Sequence, residues 1–203
     1  MPFSPGTADS TILFCQIFPT FAHKKQNMAN IILNTTRCYL REITADDAAI
    51  AYELNADPQV IQYTGDEAFE SIAAARQFLT QYDHYRRYGF GRWGVIRRDD
   101  GAFLGWCGLK YTAEDDEFDI GFRFFQRYWN QAYATETAKA CLHFAFMQLD
   151  ISVIVGRVMA ANRASIRVLE KIGLQYQTDF DFDGQLGYLY SLDKATYIAS
   201  LDH

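Results

Sequence analysis

The chain is poor in the residues that would place it among metalloproteins, secreted disulfide scaffolds or nucleic-acid binders. Its 203 residues include four cysteines and four histidines. Cys15, Cys38, Cys107 and Cys141 lie far apart, with no CxxC pair and no histidine at metal-ligand spacing. That spacing argues against a metal site, and reduced thiols in a cytoplasmic setting are expected. His23, His84, His143 and His203 are equally scattered and offer no Ser/His/Asp arrangement. Basic residues are not in excess: 19 Lys and Arg stand against 25 Asp and Glu, a formal net charge of −6. A nucleic-acid footprint needs clustered cations to displace counterions, so no nucleic-acid partner is expected, and a cationic or amine-bearing partner fits better. No apolar run reaches the ~18 residues of a membrane span. The patterns GxxxxGK[ST] and GxGxxG are also missing, which removes the P-loop and the Rossmann dinucleotide fingerprint.

With 49% hydrophobic and 22% charged residues, the chain can enclose one sizeable core. The segment Thr11 to Phe21 is apolar, but no Lys or Arg precedes it and no small-residue cleavage site follows, unlike a signal peptide. Met28 opens a run that reads like the start of a cytosolic enzyme. Residues 1–27 are therefore expected to be an extension, native or from a misassigned start, ahead of a domain over 28–203.

Alternation through Cys38, Leu40 and Ile43 predicts a first strand. Thr44 then caps a helix to about Asn55, and Asp57-Pro58 opens a short one. Apolar positions at helical spacing from Glu70 to Tyr88 predict one amphipathic helix stopped by Gly89. Strands Arg92–Arg98 and Ala102–Tyr111 flank the turn signal Asp99-Asp100-Gly101, and a third spans about Glu117–Phe125. The spacing predicts a helix over Tyr133–Leu149, a strand over Ser152–Met159 and a helix over Arg163–Ile172. Strands near Leu174–Phe180 and Gln185–Leu192 follow, separated by Asp183-Gly184. The order indicates an α/β (α+β) sandwich with a mixed sheet.

One connection carries chemistry. The strand ending at Phe125 passes through Gln126 to Ala132 into a helix, so several unpaired backbone N–H groups converge at the positive end of a helix dipole. Such a point suits a pyrophosphate; an ordinary strand-to-helix link would look the same.

The run YWNQAYATE, Tyr128 to Glu136, resembles the pyrophosphate loop YWGxGYATE of the RimJ/RimL-type branch of the GNAT acetyltransferases. NRASIRVLEKIGL, from Asn162, resembles that branch's N-x-x-S-x-x-V-L-E-K-x-G-F segment. TRCYLREIT, DPQVIQYTG, GFGRWGVI and LGWCGL are similar to further family segments in the same order, over about Asn34 to Gln177. The resemblance implies a GNAT fold, a central, mostly antiparallel mixed sheet flanked by helices, with acetyl-CoA as cosubstrate. It places the cofactor on Trp129, Asn130, Gln131, Ala132, Tyr133, Ala134 and Thr135, on the strand run Phe122, Arg123 and Phe124, and on Asn162 and Ser165. The backbone N–H groups of Phe122 and Phe124 are implied partners of the pantetheine and the thioester carbonyl. Asn162 could equally be a plain helix cap. Within the loop Ala132 stands where the family has glycine and Asn130 replaces a frequent glycine, while Leu169, usual for this branch, stands where many GNAT enzymes carry a tyrosine acid.

For proton transfer the resemblance points to Asp119, with Glu117 two residues earlier on the same strand face. Either could hold a relaying water, and either could simply pair with an arginine. Ser165 is the remaining candidate near the leaving thiolate. Tyr63, Phe90, Trp93 and Trp106 are the candidate acceptor-side residues, with core packing expected for at least two of them. The implied activity is acetyl transfer to a primary amine, on a protein N-terminus or a small molecule. A detoxifying or amino-acid acetyltransferase and a non-catalytic CoA-binding module share the same motifs, and self-association into a homodimer is left open.

Overall fold

The computed structural model describes residues 30–182 and 184–201; the expectations for residues 1–27, Cys15, His23, Asp183 and His203 fall outside them. Among the described residues, eight strands form one sheet in the order β1-β2-β3-β4-β5-β6-β8-β7. They are β1 (Ile31–Asn34), β2 (Cys38–Arg41), β3 (Arg92–Arg97), β4 (Phe103–Thr112), β5 (Glu117–Phe124), β6 (Val153–Met159), β7 (Gln175–Phe182) and β8 (Gln185–Asp193). Every pairing is antiparallel except that of β5 with β6. The hairpin at Asp99-Asp100-Gly101 forms as its composition predicts, with Gly101 at φ 71° and Arg97 N–H bonded to Ala102 O at 2.9 Å.

Helices cover both faces. On one side lie α1 (Ala48–Ala56), α2 (Pro58–Ile61), α3 (Ile72–Gln81) and α4 (His84–Tyr88). Asp57 caps α2 by accepting from Gln59 N–H, with Pro58 in the first helical position. On the other side α5 (Tyr133–Met147) packs on the sheet. Its fully buried Ala138, Cys141, Leu142, Ala145 and Phe146 share a core with Trp93, Leu109 and Ile120. α6 (Arg163–Lys171) tucks Leu169 against Gly156 of β6, where a Cβ would meet its methyl at 2.8 Å. A last helix, α7 (Lys194–Leu201), sets Tyr197 against Phe146. No helix among the described residues is long and apolar enough to cross a membrane.

The structure corrects three readings. β1 and α7 have no counterpart among the predicted elements, and Ile43 lies beyond the end of β2. The single helix predicted over Glu70–Tyr88 is two helices, broken where Tyr82 turns extended at ψ 106°. Side-chain bonding accounts for the break. The Tyr82 hydroxyl accepts the Arg92 N–H at 2.9 Å, and the Tyr85 hydroxyl donates to Arg92 O while accepting from Ile43 N–H. Two tyrosines three residues apart thereby anchor the helical layer to the start of β3, and burial pushes both hydroxyl pKa values up.

Candidate active site

β5 organises the site because its two faces and its edge do different things. It meets β6 at Asp119↔Val155, and beyond that register the two parallel strands carry no ladder bonds to each other. On its other side β5 stays paired with β4 up to Gly105↔Phe124, and Phe125 N–H donates to Leu104 O. Backbone groups alternate sides along a strand. Since Phe125 points its N–H at β4, so does Arg123, and the N–H groups of Phe122 and Phe124 face the open edge. An unpaired pair of aligned N–H groups is what a ligand amide and a developing oxyanion require.

The loop that follows supplies the second donor set. Trp129 is fixed by its indole N–H on Phe124 O at 2.7 Å. Asn130 and Ala132 both adopt the left-handed conformation, φ 58° and φ 63°. Among the described residues, no protein acceptor meets a backbone N–H from Asn130 through Thr135, and the first helical bond is Glu136 N–H to Ala132 O at 2.9 Å. Residues with φ > 0 between others turn successive N–H groups to one side, and the start of α5 adds its dipole. This donor set fits a pyrophosphate. Ala132 caps the helix without a side-chain bond, so the family's glycine would sit in the same backbone conformation at lower strain.

Glu136, in the first turn of α5, ties this start to the β1–β2 loop. It accepts from Thr35 Oγ1 at 2.7 Å, Arg37 N–H at 2.8 Å and Arg37 Nε at 2.6 Å. Partial burial opposes its charge. The Arg37 N–H, the Thr35 hydroxyl and the Arg37 guanidinium outweigh that and hold the carboxyl below its usual range. Arg37 also lies 4.2 Å over the Tyr133 ring. Sequence reasoning left Thr35 and Arg37 out of the site, because nothing local signals a contact across about a hundred positions.

The two candidate carboxylates are both ion-paired. Asp119 bonds Arg92 Nη2, and the pair is mostly buried, with side-chain exposures of 18% for Arg92 and 20% for Asp119. Arg92 also donates to the carbonyls of Gly108 and Asp119, and a methyl on Gly121 would press on its guanidinium at 2.7 Å. Glu117 bonds Arg157 of β6. Both carboxylates share the face that carries Arg123, as the period of two predicted. Asn162 caps α6, accepting from Ser165 N–H at 3.1 Å, while the Ser165 side chain is half-buried. Leu169 is buried in the core.

Of the four acceptor-side candidates, Trp106 stands in the wall of a cavity on the face opposite α5. That cavity, of about 280 Å³, lies between the sheet and α1, α3 and α4, with Phe69, Phe78, Tyr82, Arg92 and Arg123 also in its wall. Trp93 is fully buried on the opposite sheet face, edge-on to Phe144 at 5.6 Å, because β3 alternates and Trp93 falls on the α5 side. Phe90 packs against Phe118 in the core, and Tyr63 is half-buried outside the cavity wall. Arg123 also departs from its expected role. Its N–H belongs to the β4 ladder and its side chain crosses into the cavity, bonding Asn55 Oδ1 and Asp66 Oδ2.

Comparison with known proteins agrees with this geometry. The acetyltransferase (GNAT) domain family matches residues 37–175. The uncharacterized N-acetyltransferase YoaA of Bacillus subtilis (strain 168) is 32% identical over 149 residues, covering 71% of this chain and 82% of its own. Among solved structures, a GNAT-family acetyltransferase from Bacillus anthracis superposes with a TM-score of 0.70 at 22% identity, over 80% of this chain and 98% of its own. Spermidine N-acetyltransferase from Vibrio cholerae, solved with CoA and spermine, superposes at 0.68 and 16% identity, over 80% of this chain and 98% of its own. With an open β5 edge, a donor-lined turn into α5 and a matching domain profile, the chain belongs to the GNAT acetyltransferase family and is an acetyl-transferring enzyme.

Proposed function

We propose that the enzyme moves acetyl from acetyl-CoA to a primary amine by direct attack in a ternary complex. The observation that carries this is the open edge of β5, with the N–H groups of Phe122 and Phe124 directed outward one turn before the donor-lined start of α5. In this reading the N–H groups from Asn130 to Thr135 hold the pyrophosphate, and those of Phe122 and Phe124 hold the pantetheine and thioester carbonyl. Acetyl-CoA supplies an activated acyl group on a thiol that leaves readily. The neutral amine forms a bond to the thioester carbon, the C–S bond breaks, and the proton lost by nitrogen ends on the CoA sulfur. Before attack the acceptor ammonium must give up a first proton, and an α-amine, with a pKa of roughly 7.7–8.0, needs less help in losing it than a lysine-like amine near 10.4. Asp119 holds the water that accepts it, with Arg92 fixing the carboxylate's position. Glu117, bonded to Arg157 across the strand junction, is the second carboxylate of this face, and Ser165 lies on the leaving-group side.

The motif run from Tyr128 to Glu136 and from Asn162 to Gly173 supports the RimJ/RimL-type branch, whose acceptors include protein N-termini. Thermal-shift titration with acetyl-CoA, followed by thiol release over a panel of amines, tests the proposal. Stabilisation with CoA release on at least one amine is expected. Absence of stabilisation by acetyl-CoA would sink it.

A further inference from the structure

We propose that the acceptor is an amino acid with an apolar side chain, and that Arg123 takes its carboxylate. This deepens the acetyl-transfer reading and rests on it. Arg123 projects from β5 between the two residues whose N–H groups face the open edge, and its guanidinium reaches into the cavity under the helical layer. Its side chain is 8% exposed, yet Nε is buried with no hydrogen-bond partner. A buried guanidinium N–H left unpaired is costly, and native proteins rarely keep one without a use.

The partners Arg123 does have explain what is missing. Asn55, itself buried and held by Glu67 O at 3.1 Å, occupies Nη1. Asp66 occupies Nη2, but its side chain is 57% exposed and sits on a segment outside any helix or strand. Asp66 thus makes a one-point contact on the side of the guanidinium where a carboxylate can make two. A substrate carboxylate bridging Nε and Nη2 satisfies the orphan donor and gains the bidentate geometry that arginine favours. Displaced, Asp66 returns to water, where most of it already is.

The donor chemistry of Arg123 also selects against a class at that position. A polyamine offers only donors in its charged form, and it cannot satisfy a guanidinium N–H. Glu67 and Arg92 also line the cavity, Arg92 already paired with Asp119, while Phe69, Phe78, Leu79 and Trp106 supply an apolar stretch of wall, and the volume of about 280 Å³ lies near the small end of ligand pockets. It fits one apolar amino acid better than an extended cation.

Two measurements on the full chain separate this inference from the reading beneath it. The first is thiol release with phenylalanine, phenethylamine, phenylalanine amide and spermidine at saturating acetyl-CoA. The second is calorimetric binding of N-acetylphenylalanine and N-acetylphenethylamine in the presence of CoA. Phenylalanine is expected to exceed phenethylamine in kcat/KM by about tenfold to a hundredfold, with the same order in product binding. Arg123→Lys, which keeps the charge and removes the fork, should collapse both ratios to within about twofold while the melting temperature stays near wild type. Should Arg123→Lys fail to fold, Asp66→Asn reports instead, expected to lower the KM for phenylalanine and leave that for phenethylamine unchanged. Carboxylate-selective product binding without thiol release on any amine would overturn acetyl transfer and support the Arg123 site. Equal binding of the two products, or a preference for spermidine, would overturn the Arg123 site and leave acetyl transfer standing.

Discussion

Ala132→Gly tests one of the two positions, with Asn130, at which the loop into α5 departs from the family pattern it resembles. Ala132 has φ 63° and ψ 9°, is exposed, and caps α5 without a side-chain bond. An L-residue in that conformation costs roughly 1–2 kcal/mol relative to glycine, because Cβ crowds the following carbonyl oxygen. Glycine gives back ~0.4–1 kcal/mol through the extra freedom of its unfolded chain. The net expectation is stabilisation by about 0.5–1 kcal/mol, a rise in melting temperature of ~1–4 °C for a domain of this size. Acetyl-CoA affinity should hold or tighten by up to about threefold, since the glycine loop reaches the bound backbone shape with less strain. Differential scanning calorimetry of both proteins, with and without acetyl-CoA, reads both quantities. A fall of more than about 2 °C, or a tenfold loss of affinity, would show that the methyl packs usefully and that the strain argument is wrong.

Four further perturbations test separate parts of the structure. Asp119→Asn leaves Arg92 bonded to two backbone carbonyls, so the fold should persist while kcat falls at least tenfold with the acetyl-CoA KM little changed; unaltered kinetics would remove Asp119 from the mechanism. Gly121→Ala puts a methyl 2.7 Å from the Arg92 guanidinium and should reproduce that kcat loss without touching a carboxylate, which steady-state kinetics checks. Trp93→Ala, in the closed core beneath α5, should cost ~3–5 kcal/mol in chemical denaturation. The last concerns pH. The folded-state pKa of Glu136 is depressed, so its stabilisation is complete above the unfolded value near 4.3 and is lost as pH falls through the lower folded value. Glu136→Gln should therefore be less stable than wild type at pH 7, with the gap closing in urea melts taken below about pH 4.

Most of the element order was legible in the sequence because local signals set it. The Asp-Gly hairpin, the Asp57-Pro58 cap, the Gly89 stop and the period of α5 each depend on neighbours a few positions away. What the sequence hid depends on contacts at long range. The break between α3 and α4 exists because Tyr82 and Tyr85 both reach the backbone of Arg92, and helical spacing alone makes that stretch continuous. Trp93 reads as a pocket aromatic next to Arg92, yet one step along a strand moves a side chain to the opposite face. The partners of the two carboxylates were equally hidden: Asp119 meets an arginine 27 positions earlier, and Glu117 one 40 positions later.

Arg123 shows most sharply why a family match cannot replace the geometry. By resemblance it belongs with Phe122 and Phe124 on the cofactor, and by strand alternation it belongs with neither. β5 gives its flanking N–H groups to the open edge, the Phe124 ring to the α5 core, and the Arg123 side chain to the cavity under α1 and α3. One three-residue run therefore borders the open strand edge, the core and the cavity at once. A substitution at Arg123 should accordingly separate the two substrates kinetically, raising the KM for a carboxylate-bearing amine at least tenfold while the KM for acetyl-CoA moves less than about twofold. If both rise together in initial-rate measurements, Arg123 acts through the strand rather than through the cavity, and the division of labour along β5 fails.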